Sequence, residues 1–211
     1  MYPKSIYSYR NESDESELDF FKYCNNYNQN FPQIFGIDLF QKITSTLSAN
    51  SQIEIELVVG PNKKRNYPFS TFRYLNPGFG EMTPHCEIGL QKFASDFLEN
   101  TNNILNHSRY FSFFILLQKP SKGGDFLIYN LNWDDTKHIN NNGDFIDSNN
   151  KQRNIKEIAF FDANLKSGDL IVFNGGQLWH TTTLVEGVEP RITFGGFIGF
   201  NETGKRSFIW S

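Results

Sequence analysis

The spacing of hydrophobic residues changes along this chain, and the change divides it into a helical start and a long stretch of strands. Residues 15–23, preceded by the capping residue Ser13, read as one helix, and residues 38–47 as a second, because Leu39, Ile43 and Leu47 recur at helical spacing. From Gln52 the period becomes two: Ile53, Ile55 and Leu57 alternate with Glu54 and Glu56, and residues 69–75 are aromatic and extended in character. Phe93, Phe97, Leu98, Ile104 and Leu105 predict one more helix within residues 91–106. Residues 110–117 then form a near-continuous apolar run of the kind found in strands buried on both faces.

After Gly123-Gly124 the predicted strands come at short intervals: residues 125–129, 157–161, 169–173, 178–184, 191–200 and 206–210, with Gly, Asn, Asp and Pro between them. Such a series predicts a mainly β fold, a double-stranded β-helix or jelly roll, with supporting N-terminal helices. We expect a single domain over residues 1–211, with helical support at about 1–50 and the jelly-roll core at about 52–211. Residues 130–154 interrupt the pattern. They are very polar, contain Asn140-Asn141-Asn142-Gly143 and Asn149-Asn150, and read as a long loop that is either a cover for an active site or a solvated insertion.

Composition agrees with a packed interior: 38% of the 211 residues are hydrophobic and 22 are Phe. A net charge of -3 gives no general attraction to nucleic acid or anionic lipid, and the basic run Lys63-Lys64-Arg65, set between Pro61 and Pro68, reads as a solvated loop. No apolar run approaches the roughly 20 residues that span a bilayer, and Met1-Tyr2-Pro3-Lys4-Ser5 lacks the apolar region of a secretory signal. A cytoplasmic protein without membrane or nucleic-acid partners is expected. The only two cysteines, Cys24 and Cys86, suit a reducing compartment and are too few for a disulfide framework or a cysteine-based zinc site.

The candidate chemistry begins at Pro84-His85-Cys86-Glu87. In an extended segment His85 and Glu87 project from one face, with Cys86 on the other. His180 lies on a distant predicted strand, and a jelly roll brings distant strands side by side. Two histidines and one carboxylate would leave coordination positions open on a metal, which suits iron(II), with zinc as the competitor for the same ligands. Arg191 follows Pro190 at the start of another predicted strand, where a buried guanidinium could grip a carboxylate, with Thr193 on the same face. The alternative is an exposed arginine paired with Glu186 or Glu189. Arg73, Tyr74 and Phe113 are further candidates to touch a cosubstrate or substrate; Trp133 and Trp179 are pocket walls or core, and His107 and His138 read as surface histidines.

The runs Gly168-Asp169-Leu170-Ile171-Val172-Phe173-Asn174, His180, and Pro190-Arg191-Ile192-Thr193-Phe194-Gly195-Gly196-Phe197-Ile198-Gly199 resemble the C-terminal signature of the 2-oxoglutarate and iron(II)-dependent oxygenases. Pro77-Gly78, Pro84-His85-Cys86-Glu87 and Lys122-Gly123-Gly124-Asp125 fall upstream in the order that family uses, so the resemblance covers about residues 69–200. It is nearest to the prolyl-hydroxylase-like branch and to the small-molecule hydroxylases and halogenases. The resemblance implies His85, Glu87 and His180 as catalytic iron ligands, and Arg191 and Thr193 as residues that bind 2-oxoglutarate; Tyr74, which precedes the metal strand, is placed with the cosubstrate-binding residues on its position alone. The cofactors implied are Fe(II) and 2-oxoglutarate, with ascorbate as an optional reductant. The expected partners are O2 and a small-molecule substrate, an amino acid or natural-product intermediate hydroxylated at an unactivated C-H bond. A prolyl-type peptide or protein hydroxylase and a non-catalytic jelly-roll binding module are the alternatives. Relatives that halogenate have Gly or Ala where this chain has Glu87, which argues for hydroxylation.

Overall fold

The computed structural model describes residues 17–51, 53–60, 66–78, 83–88 and 95–211. Its helices are α1 (Glu17–Phe35), α2 (Leu39–Ser51) and α3 (Ser95–Thr101). Its strands are β1 (Ile55–Leu57), β2 (Thr71–Leu75), β3 (Tyr110–Gln118), β4 (Lys122–Gly123), β5 (Phe126–Asn132), β6 (Asp144–Ile146) and β7 (Gln152–Asn154). They continue with β8 (Phe160–Asp162), β9 (Leu170–Phe173), β10 (Leu178–Thr182), β11 (Val185–Glu186), β12 (Arg191–Phe200) and β13 (Ser207–Trp210). Ser13 and residues 91–94 of the expected third helix lie outside the described residues. Contacts group the chain into two compact units: one of residues 1–71, 93–110 and 195–211, the other of residues 72–92 and 111–194.

In the first unit an aromatic stripe organises the helices. Phe20, Phe21 and Cys24 of α1 pack with Val58, Tyr67, Phe97, Leu105, Tyr110, Phe208 and Trp210. Tyr27 and Phe31 extend the stripe onto Phe69, at 5.9 and 5.3 Å between ring centres. This burial carries α1 beyond the expected end at residue 23 and past Pro32, whose missing N–H removes one hydrogen bond near the C-terminal end of the helix. β1 runs parallel to β13, with Ile55 opposite Ser207, and β13 is antiparallel to residues 197–200 of β12.

The second unit holds the strands that matter for chemistry. β10, β5 and β8 form one antiparallel sheet with β5 in the middle, β3 pairs with β9, and β11 pairs with β4. The register sets His180 opposite Ile128 and Ser112 opposite Phe173. Residues 130–154 are not the unstructured loop the sequence predicts. β5 continues through Asn132, and β6 and β7 make a hairpin pinned into a cluster of Cys86, Tyr129, Leu131, Ile139, Phe145, Ile155 and Trp179. Its polar residues build turns: Asn140 Oδ1 accepts the N–H groups of Asn142 and Asp144, and Asp147 Oδ1 those of Asn149 and Lys151. Among the described residues no helix is long and apolar enough to cross a membrane.

Candidate metal centre

His85 and His180 meet because their backbones do. Each donates its N–H to the other's carbonyl at 3.0 Å, and Glu87 donates its N–H to Gly175 O at 3.0 Å. The expected strand around His85 amounts to this one bridge, since the chain enters a 3-10 turn at Glu87. Cys86 is buried away from the two ligands, its thiol donating to Gln177 O at 3.3 Å. The imidazole rings of His85 and His180 stand 4.4 Å apart between centres. One potential ligand atom from each of His85, Glu87 and His180 falls within 4.8 Å of the others.

The tautomers are set by the backbone. His85 Nδ1 lies 2.9 Å from Thr83 O and His180 Nδ1 2.8 Å from Leu178 O. A carbonyl only accepts, so each Nδ1 carries the proton and each Nε2 keeps its lone pair, the form a metal requires. His180 Nε2 is 3.3 Å from Glu87 Oε1. The rings of Phe126 and Phe173 pack beside His180 at 5.7 and 4.9 Å, which limits water and fixes the imidazole.

Burial and the neighbouring His180 push His85 down to about 4, against the opposite pull of Glu87, so it is neutral at physiological pH. Burial raises the Glu87 carboxyl, but His180, His85 and the Ser112 hydroxyl outweigh it and bring the group down to about 2. Ser112 Oγ is near enough to exert that influence, yet neither it nor Glu87 Oε2 completes a well-aligned hydrogen bond. A buried carboxylate oxygen without a donor, beside two imidazole nitrogens with free lone pairs, fits a divalent cation. The set accepts iron(II) and zinc alike.

Arg191 is 3% exposed, its guanidinium 5.2 Å from the centre of the Phe114 ring, and its Nε has no hydrogen-bond partner. Burial and the like charge of Arg73 bring it down to about 10, against Asp125, and it remains a cation. It is not paired as the alternative supposed: Glu186 binds Lys122 at 2.6 Å instead. Thr193 is buried and shares the Arg191 face of β12. Phe72 meets Phe194 at 4.8 Å, so by strand alternation Arg73 lies on the opposite face of β2, and Tyr74 returns to the face of Phe72. Tyr74 is 57% exposed, whereas the Arg73 pKa is lowered by burial and raised by Glu87. By accessible surface Arg73 is nevertheless an exposed residue, so its guanidinium feels Glu87 while still reaching solvent. Of the two neighbours, Arg73 is the one whose charge Glu87 acts on.

Phe113 is buried, and Trp179 is core, stacked on Trp133 at 6.1 Å. His107 is half-buried against Phe97 rather than on the surface, while His138 is exposed. Ser112 and Gly175, both beside Glu87, carry no sequence signal that would have singled them out.

The chain matches the family described as carrier-protein-independent halogenase WelO5 over residues 6–211. No curated protein matches it. Among solved structures it is similar to an N-substituted L-amino acid dioxygenase from Burkholderia ambifaria AMMD, at 12% identity and a TM-score of 0.60, covering 98% of this chain and 77% of that one. A second structure of such a dioxygenase, from the same organism and in complex with alpha-KG, is similar at 12% identity and a TM-score of 0.53, covering 97% of this chain and 76% of the other. These likenesses show the fold and agree with the mainly β jelly roll expected from strand spacing.

Proposed function

The chain belongs to the carrier-protein-independent halogenase family WelO5, within the 2-oxoglutarate and iron(II)-dependent oxygenases, and within that family we propose, from its own residues, that it is a hydroxylase of small molecules rather than a halogenase. The observation that carries this is Glu87. Its carboxylate stands among the candidate ligands, where halide would need an open position on the metal. The proposed ligands are His85, Glu87 and His180.

Iron(II) held by His85, Glu87 and His180 would, with 2-oxoglutarate and O2 as co-reactants, supply the oxidising power for cleaving an unactivated C–H bond, with succinate and carbon dioxide as by-products. The chain's own residues do the placing. His85 and His180 present Nε2 because Nδ1 is tied to backbone. Arg191, buried and cationic, would grip the distal carboxylate of 2-oxoglutarate, and Thr193 would add a hydroxyl from the same face. Phe126 and Phe173 keep water from the His180 side.

Arg73 adds a second positive charge on the side of the cluster, which favours a substrate with an anionic group. The resemblance to N-substituted L-amino acid dioxygenases points the same way. An amino acid, free or N-substituted, is therefore the first substrate class to test, ahead of other natural-product intermediates. Cys24 and Cys86 are buried free thiols, the Cys24 thiol pushed up to about 12 by burial, which suits a reducing cytoplasm.

The test is anaerobic loading with iron(II), then addition of 2-oxoglutarate, ascorbate, O2, chloride and a panel of free and N-substituted amino acids and small amines. Succinate together with a product heavier by one oxygen supports hydroxylation. A product in which chlorine replaces hydrogen establishes the halogenase reading, which the family's description favours. No substrate-dependent succinate across the panel, with iron bound, would count against the amino acid class.

A further inference from the structure

Gly175 leaves no room for a side chain. A Cβ built on it would lie 2.5 Å from Glu87 Oε2 and 2.8 Å from Ser112 Cβ, and nearer still to Ser112 Oγ. Its backbone is not in the left-handed region, so conformational freedom does not explain the glycine and space does. The carbonyl of the same residue accepts the Glu87 N–H at 3.0 Å. One glycine thus fixes the Glu87 backbone and also vacates the volume that its carboxylate fills. Ser112, buried on β3, closes the other side, and β3 pairs with β9, the strand just before Gly175.

The geometry has a direction. Oε1 points at His180 Nε2, 3.3 Å away, and Oε2 points into the space between Ser112 and Gly175. An aspartate held by the same backbone bond would be one methylene shorter and would not fill that space. We infer that Gly175 and Ser112 form a recess fitted in length to a glutamate at position 87, and that they are positioning residues which hold its carboxylate at the metal. This rests on the metal-centre reading above and deepens it, since it explains how the site keeps an acidic side chain in a family named for halogenation.

The recess predicts non-additive metal binding, measured as iron(II) affinity by anaerobic titration. Gly175→Ala in the natural chain should weaken iron binding by about tenfold or more, the scale usual for residues that orient a ligand. In a Glu87→Asp chain, whose shorter carboxylate has left the recess, the same change should cost less than about threefold, because contacting residues couple and separated ones do not. The Ser112 hydroxyl can rotate away from an added methyl, and the remaining contact with Ser112 Cβ is common to both backgrounds, whereas a carboxylate held on iron cannot move aside. Thermal midpoints of the metal-free variants report any general packing cost, which should be equal in both backgrounds.

Should Gly175→Ala not fold, Ser112→Ala adds no atom and takes its place. It should weaken iron binding in the natural chain and hardly at all with Asp at position 87. Equal losses in the two backgrounds, or no loss in either, would overturn the recess. His180→Ala separates this from the underlying reading. If that variant keeps its iron affinity, the metal site itself is misassigned; if it loses iron while the cycle is additive, only the recess is wrong.

Discussion

At the residue scale, the proposed roles divide binding of metal from binding of cosubstrate between single side chains. His180→Ala should abolish measurable iron(II) binding in an anaerobic titration while the circular dichroism stays native, because β10 is held by its pairing with β5 and by buried Trp179. Unchanged affinity would remove His180 from the site. Arg191→Ala should leave iron affinity alone and weaken 2-oxoglutarate binding by roughly 2–5 kcal/mol, the usual cost of truncating one partner of a buried charged pair. Anaerobic calorimetric titration of the metal-free protein with iron(II), and of the metal-loaded protein with 2-oxoglutarate, reads the two, and an unaltered 2-oxoglutarate affinity would make Arg191 a packing residue over Phe114. His85 and Glu87 were legible in sequence because they stand two apart beside a proline, and Arg191 because it opens a strand whose bounds the sequence predicts as β12 forms them. Which of Arg73 and Tyr74 shares the face of Phe72 was not legible, because it depends on which face of β2 meets Phe194. Ser112 and Gly175 were invisible for a similar reason: a small residue acquires its meaning only from what packs against it, here a carboxylate far away in the chain.

At the scale of elements, strands with clear alternation or a continuous apolar run emerged close to their expected bounds, as β3, β9, β12 and β13 show. Elements set by a few anchors in polar surroundings did not. The β6–β7 hairpin has Phe145 and Ile155 as its buried anchors, with turns capped by Asn140 and Asp147, and a window of sequence around it shows no period. Gly143 is its weak point: φ is +84°, and a Cβ there would meet Ile155 Cγ2 at 2.7 Å. Gly143→Ala should therefore destabilise the protein by more than about 1 kcal/mol, since the native backbone suits glycine and the new methyl also collides with an anchor. Urea unfolding is the measurement. Iron affinity should be unchanged, because no candidate ligand lies on the hairpin. A variant as stable as the parent would show that the hairpin contributes nothing to the Phe145–Ile155 cluster.

At the scale of the molecule, the candidate centre ties stability to pH even without metal. His85 is lowered from its ordinary 6.5 to about 4, chiefly by burial, and Glu87 from 4.5 to about 2, because its two histidine neighbours outweigh burial. Between pH 6.5 and 4 the unfolded chain therefore takes up a proton on His85 that the folded chain refuses, and between 4.5 and 2 the same holds for Glu87. Stability rises with pH wherever the unfolded state binds more protons, so both groups act in one direction: their contributions are complete above about 6.5 and are lost in turn on acidification. The thermal midpoint of the metal-free protein should fall steadily from pH 6.5 towards 4. His85→Gln, which cannot titrate, should flatten that upper part of the curve and leave the steeper loss below 4.5. Iron(II) binds the folded form and should raise the midpoint under anaerobic conditions, by an amount that also shrinks in acid because protons and metal compete for the same nitrogen and oxygen atoms. A midpoint of the metal-free protein that stays constant from 6.5 to 4 would mean that folded His85 still accepts a proton, and the imidazole would then be open to water rather than enclosed in a metal pocket.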